Sequence, residues 1–142
     1  NISGSSVTDT NLWCGVLAEL EAERSLAKRL VLEIDEGESV EFGLGAVFVS
    51  RMQWIGCKVA LDHFGRRYGT ETGAAITAPD IVKIDGEFMH AAMGNAQALE
   101  RLESLIKLAS ACAKHVVVLG VKTAGDARLA LSVGARWAQA DN

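Results

Sequence analysis

Lys58-Val59-Ala60-Leu61-Asp62-His63-Phe64-Gly65 sets an aliphatic run directly before polar residues and a glycine. Lys58 to Asp62 reads as a buried strand, and the glycine-rich loop from Gly65 to Gly69 marks where it stops. The same unit recurs in both directions from it. Leu30-Val31-Leu32-Glu33-Ile34-Asp35 precedes it; Ile81-Val82-Lys83-Ile84-Asp85 and Val116-Val117-Val118-Leu119 follow, and Ala135-Arg136-Trp137-Ala138-Gln139 is the last strand. Between these runs the apolar spacing becomes helical. Asp9 or Thr10 caps a helix through Trp13, Val16, Leu17 and Leu20 to about Lys28. Ser39 starts a second helix through Phe42, Ala46, Val49 and Met52, which Gly56 stops. A short helical turn ends near Pro79, and a long helical stretch follows with Ala98, Leu102, Leu105, Ile106 and Ala109 as its apolar stripe. Thr123-Ala124-Gly125-Asp126 reads as a variant capping box that opens a helix through Leu129, Ala130 and Val133, ended by Gly134.

Strands alternating with helices imply right-handed βαβ units and a parallel sheet. The repeat of roughly 30 residues per unit is that of a (β/α)8 barrel, in which ~250 residues make eight units. The expected fold class is therefore α/β, a partial TIM-type barrel with parallel strands, in one unit over residues 1–142 with no linker. Pro79 is the only proline, which argues against a sandwich or barrel of hairpins.

The 142 residues are 49% hydrophobic and 23% charged, with a net charge of −4, as in a globular domain and unlike a disordered chain. No basic footprint for duplex nucleic acid is present. No apolar run reaches the ~18 residues of a membrane span, and no signal peptide opens the chain. Cys14, Cys57 and Cys112 are scattered and odd in number, which reads as reduced thiols in the cytoplasm.

Side chains alternate across a strand, so Val31, Glu33 and Asp35 share one face, as do Lys58, Ala60 and Asp62, and Ile81, Lys83 and Asp85. Each strand thus becomes polar on one face toward its C-terminal end, where barrels and open parallel sheets bind ligands. Glu33, Asp62 and Lys83 at three such ends suit a divalent cation and a phosphate, with Mg²⁺ or Mn²⁺ favoured by hard oxygen ligands. The alternative is that these groups cap or salt-bridge strand ends. Arg66 and Arg67, in the loop after Asp62, suit an anionic ligand or a solvated face. His90 and His115 read as surface or boundary residues, and Trp13, Trp54 and Trp137 as packing residues.

Six blocks in order resemble the EAL domain, the bacterial cyclic di-GMP phosphodiesterase family. Asn1-Ile2-Ser3 resembles N-[LI]-S, Leu32-Glu33-Ile34-Asp35-Glu36 resembles L-E-I-T-E, and Ala60-Leu61-Asp62-His63-Phe64-Gly65 resembles A-L-D-D-F-G. Lys83-Ile84-Asp85 resembles K-I-D, Leu119-Gly120-Val121-Lys122-Thr123 aligns with E-G-V-E-T, and Gln139-Ala140 with the closing Q-G. The likeness covers the later part of such a domain, with the E-x-L signature and its nearby arginine expected before Asn1. The resemblance implies that Asn1, Glu33 and Asp62 are metal ligands, with His63 at a further ligand position. It implies that Lys83 positions the attacking water, accompanied by Asp85; Asp85, Gln139 and, from its place in the loop after Asp62, Arg66 are candidates for ligand binding.

Three positions depart from the pattern. His63 replaces the second aspartate, Leu119 the E-G-V glutamate, and Lys122 the last glutamate of that motif, which steadies the D-D-F-G loop. Two-metal hydrolysis needs anionic ligands to hold the cations and to make hydroxide at neutral pH. A leucine removes a ligand and a base, a neutral imidazole supplies no charge, and Lys122 adds a positive one. The first reading is a degenerate EAL domain, catalytically inactive, acting as a cyclic di-GMP receptor or interaction module. The alternative is a fragment of a metal-dependent phosphodiesterase; a third is a dimerisation domain without nucleotide. Leu119 together with His63 discriminates the first two. An uncovered strand edge and apolar face imply a homo-oligomer or attachment to other signalling domains.

Overall fold

The computed structural model describes residues 1–41, 43–67 and 69–140. Helices α1 (Gly4–Val7), α2 (Thr10–Ala22) and α3 (Arg24–Ala27) precede strand β1 (Val31–Asp35). The chain then alternates through α4 (Leu44–Ile55), β2 (Lys58–Phe64), α5 (Gly69–Ile76) and β3 (Ile81–Ile84). Helices α6 (Gly86–Ala92) and α7 (Ala96–Cys112) lead to β4 (His115–Val118), and α8 (Ala124–Ser132) to β5 (Trp137–Ala138). The sheet order is β1-β2-β3-β4-β5, and every neighbouring pair is parallel. Ile2 adds a parallel bridge beyond β1: its N–H donates to the Glu33 carbonyl at 2.8 Å and its carbonyl accepts from Asp35 N–H at 3.0 Å. Strands in chain order with helical crossovers make the wall of a TIM-type barrel.

The two faces of this wall differ. Ile34, Val59, Leu61, Val82, Ile84 and Val118 are fully buried, and Met52, Ile55, Leu102 and Ala109 of α4 and α7 belong to the same core. The opposite face carries Glu33, Asp62 and Lys83, and leaves Val31 43% and Trp137 58% exposed. Leu102 is fully buried in α7. Truncating Leu102→Ala is expected to cost about 2–5 kcal/mol in urea unfolding, from lost transfer energy plus the cavity left behind.

The caps act locally as the sequence suggests. Asp9 accepts from Asn11 and Leu12 N–H at the start of α2. At α8, Thr123 Oγ1 accepts from Asp126 N–H at 3.1 Å, while Asp126 Oδ2 accepts from Lys122 and Thr123 N–H at 2.9 and 2.8 Å. These backbone donors hold the Asp126 carboxyl below its ordinary pKa. A carboxylate with a depressed folded pKa stabilises the fold above its unfolded value, and the gain fades as pH falls through the folded value. Melting temperatures of wild type and Asp126→Ala are therefore expected to differ at neutral pH and to converge in acid.

Several boundaries move. The first helix breaks at Glu23, and α4 starts at Leu44 rather than Ser39, because Gly43 just before it takes φ +91°, outside the helical region. Phe42 lies outside the described residues. The long helical stretch divides at Gly94, φ +76°, after which Asn95 caps α7 through Ala98 N–H. Strand β2 runs on to Phe64, and β5 is confined to Trp137–Ala138. Trp13 packs edge-on against Phe48, but Trp54 is 67% exposed with the Arg24 guanidinium 4.5 Å above its ring. Trp137 is also no core residue; it stands on the open face beside His115, ring centroids 6.0 Å apart.

Candidate functional site

The polar groups gather at the C-terminal ends of β1, β2 and β3. Pairing passes from Leu61 opposite Val82 to Phe64 opposite Ile84, so Asp62 and His63 together face the single residue Lys83. This bulge places His63 at φ +55°, a left-handed conformation that histidine tolerates better than most residues. It also puts both side chains at the strand end. His63 Nδ1 lies 3.3 Å from Asp35 Oδ2 and 3.4 Å from Asp62 Oδ2. Asp35 and Asp62 are register partners on neighbouring strands, so the imidazole faces two adjacent carboxylates.

Lys83 is 9% exposed, and its ammonium donates to Glu33 Oε1. Asp85 follows β3 and caps α6, its Oδ1 accepting from Glu87 N–H at 2.8 Å. The Arg66 guanidinium reaches across to Asp85 Oδ2 at 3.9 Å and Glu87 Oε1 at 3.6 Å. A cavity of about 260 Å³ opens between these loops, lined by Asp35, Glu36, Gly37, His63, Arg66 and Arg67.

Glu36 is the residue that sequence reasoning missed. It is 1% exposed, and its carboxylate accepts from Gly65 N–H at 3.2 Å and from Arg67 N–H. Burial raises its pKa, opposed by the N–H groups of Arg67, Gly65 and Arg66. Glu36 thereby steadies the loop after Asp62, the task that the resemblance attaches to position 122. Lys122 N–H instead serves the α8 cap. The signal was available: alternation past Asp35 puts Glu36 on the buried face with Ile34, and a buried carboxylate demands donors.

The remaining candidates lie around this cluster. The Ile2–Ile34 bridge sets Asn1 beside Glu33 in register, and Asn1 lines a shallow cavity of about 420 Å³ with Asp35, Gly37 and Glu38. Leu119 is buried just past β4, its N–H bonded to the Ile84 carbonyl at 3.0 Å. Gln139 extends β5, with its N–H on Val118 and its carbonyl taking Val121 N–H.

The sequence model of the EAL domain matches residues 1–140. The chain belongs to the EAL domain family. This EAL chain is 30% identical over 108 residues to cyclic di-GMP phosphodiesterase TpdA of Vibrio parahaemolyticus, covering 75% of this chain and 19% of TpdA. It thus spans about a fifth of that curated relative's length. The FimX EAL domain from Pseudomonas aeruginosa bound to c-di-GMP superposes with a TM-score of 0.76 at 22% identity, over 98% of this chain and 57% of that one. The manganese and cyclic di-GMP complex of BlrP1 from Klebsiella pneumoniae gives 0.78 at 22% identity, over 98% and 36%. At such identities the likeness shows the fold, the TIM-type barrel.

EAL domains use divalent metal, and the residues present in this EAL chain do not fit one. Among the described residues no three of His, Cys, Asp and Glu are arranged to hold a metal ion. Glu33 is committed to Lys83, His63 stands against Asp35 and Asp62, and Leu119 brings no donor atom.

Proposed function

We propose that this EAL chain acts in cyclic di-GMP signalling as a catalytically inactive receptor, binding the nucleotide at the strand ends without cleaving it. The observation that carries this is Leu119, an aliphatic side chain where the resemblance places a catalytic carboxylate, together with the pairing of Glu33 to Lys83. Cationic Lys83 and Arg66 would meet phosphate oxygens, Asp85 and Gln139 would offer acceptors and donors to the bases, and Arg67 lines the same loop. Binding without turnover passes a signal by shifting a conformational equilibrium in an attached domain. The similarity to TpdA, and to the FimX domain bound to c-di-GMP, supports the ligand class. Titration calorimetry with cyclic di-GMP, with and without Mg²⁺, tests it: binding heats are expected in both buffers.

The second reading, a piece of a metal-dependent phosphodiesterase, draws on the retained Asn1, Glu33, Asp62 and Lys83. Under it, Mg²⁺ or Mn²⁺ would be required for binding and product would form. Among the described residues no helix is long and apolar enough to cross a membrane. Free Cys14, Cys57 and Cys112 fit a cytoplasmic protein.

Assembly follows from the open wall. Val31 and Trp137 are exposed on the uncovered face, and such a face and its strand edges recruit another chain. The 142-residue chain is expected to be stable as a dimer or swapped assembly, with an interface above ~1,000 Å², or as a piece of a longer chain, and light scattering of the isolated chain tests this. A well-folded monomer with a cooperative melt at low micromolar concentration would count against this.

A further inference from the structure

The strand-end carboxylates are answered from within the chain. Lys83 is almost buried and its ammonium pairs with Glu33. A cation drawn to Glu33 would compete with that ammonium for the same carboxylate. At position 119, where the family pattern has a glutamate, a buried leucine supplies no further carboxylate.

The second pair is made by two departures from the same pattern. L-E-I-T-E has become Leu32-Glu33-Ile34-Asp35-Glu36, and A-L-D-D-F-G has become Ala60-Leu61-Asp62-His63-Phe64-Gly65. Asp35 thus adds a carboxylate on β1 opposite Asp62, and on β2 an imidazole stands where the pattern has a second aspartate. The bulge then turns His63 Nδ1 to within 3.4 Å of both Asp35 and Asp62. Neighbouring parallel strands are ~4.8 Å apart, so these carboxylates need a positive or N–H-bearing group between them.

We infer that Lys83 and His63 are built-in counter-groups for Glu33 and for the Asp35–Asp62 pair, taking the part that divalent cations play at the strand ends. The site is held in shape by its own side chains, and Mn²⁺ or Mg²⁺ binds weakly because it must first displace them. This deepens the receptor reading by making nucleotide binding independent of metal. Its test uses no nucleotide, so the two can fail separately.

The experiment titrates the chain with Mn²⁺ alone, following free Mn²⁺ by electron paramagnetic resonance and unfolding by thermal melts in Mn²⁺ and in chelator. Wild type is expected to retain little Mn²⁺ and to melt at the same temperature in both buffers, within about 1 °C. His63→Asp keeps a residue that tolerates the left-handed backbone and restores an uncompensated carboxylate cluster. It is expected to bind Mn²⁺ at least about tenfold more tightly and to gain roughly 5–10 °C on saturation. Lys83→Met is expected to melt lower in chelator and to be partly rescued by Mn²⁺. Saturable Mn²⁺ binding that stabilises wild type by that same margin would overturn the inference. So would a folded His63→Asp variant that binds Mn²⁺ no better than wild type, and the wild-type result stands even where a variant fails to fold.

Discussion

Incubated with cyclic di-GMP and Mg²⁺ or Mn²⁺, the chain is expected to release no linear dinucleotide above a no-enzyme control. Two-metal phosphodiester hydrolysis at neutral pH relies on metal-bound water whose pKa is lowered to about 7. Here the carboxylates that the resemblance makes metal ligands are occupied: Glu33 holds Lys83, and Asp62, with Asp35 beside it, faces His63. Leu119 supplies neither ligand nor base. The expected change is therefore complete loss of turnover rather than a slower rate. Product that appears with Mn²⁺ and vanishes in Glu33→Ala would refute it, and would favour the phosphodiesterase reading.

Glu36→Ala is expected to unlatch the loop after β2 that carries Arg66 and Arg67. Its carboxylate is the acceptor for Gly65 and Arg67 N–H, and hydrogen bonds to a charged group contribute about 1.5–3 kcal/mol each. Part of that is offset, because burial disfavours the charged form and raises the Glu36 pKa. A net loss of about 2–4 kcal/mol in urea unfolding follows, with at least about tenfold weaker nucleotide binding as Arg66 loses its place. The pH dependence has the opposite sign to that of Asp126. The folded state holds the Glu36 proton more tightly than the unfolded chain, so stability declines as pH rises from the ordinary carboxylate value to the raised one. Over that window wild type is expected to lose ground relative to Glu36→Gln. An Ala variant as stable as wild type, with unchanged affinity, would show that the loop is held by other contacts.

The barrel wall was legible because two periods alternate plainly. Val59, Leu61, Val82 and Ile84 mark strands buried against helices, and Asp9 and Thr123 announce helix starts through their own side chains. What sequence did not show depends on backbone geometry between elements. Gly43 and Gly94 look like ordinary loop and helix glycines until their positive φ angles are seen to reset α4 and α7. The bulge at Asp62–His63 leaves no mark in the sequence, where the strand reads as ending at Asp62, yet it decides where His63 points. Trp54 and Trp137 show the limit of spacing: both stand at core-like positions, yet they are 67% and 58% exposed among the described residues. The candidate residues Glu33, Asp62, Lys83 and Asp85 could be picked as strand-end charges. That they salt-bridge or cap strand ends was the alternative reading, and the Lys83–Glu33 pair and the Asp85 cap fit it; which groups pair depends on register and on a partner strand many residues away.

Titration calorimetry with cyclic di-GMP in chelator and in Mn²⁺ tests the receptor account most directly, with the products checked by chromatography after each run. The account predicts saturable binding of equal affinity in both buffers and intact cyclic nucleotide at the end. Binding that appears only with Mn²⁺, accompanied by linear dinucleotide, would contradict it.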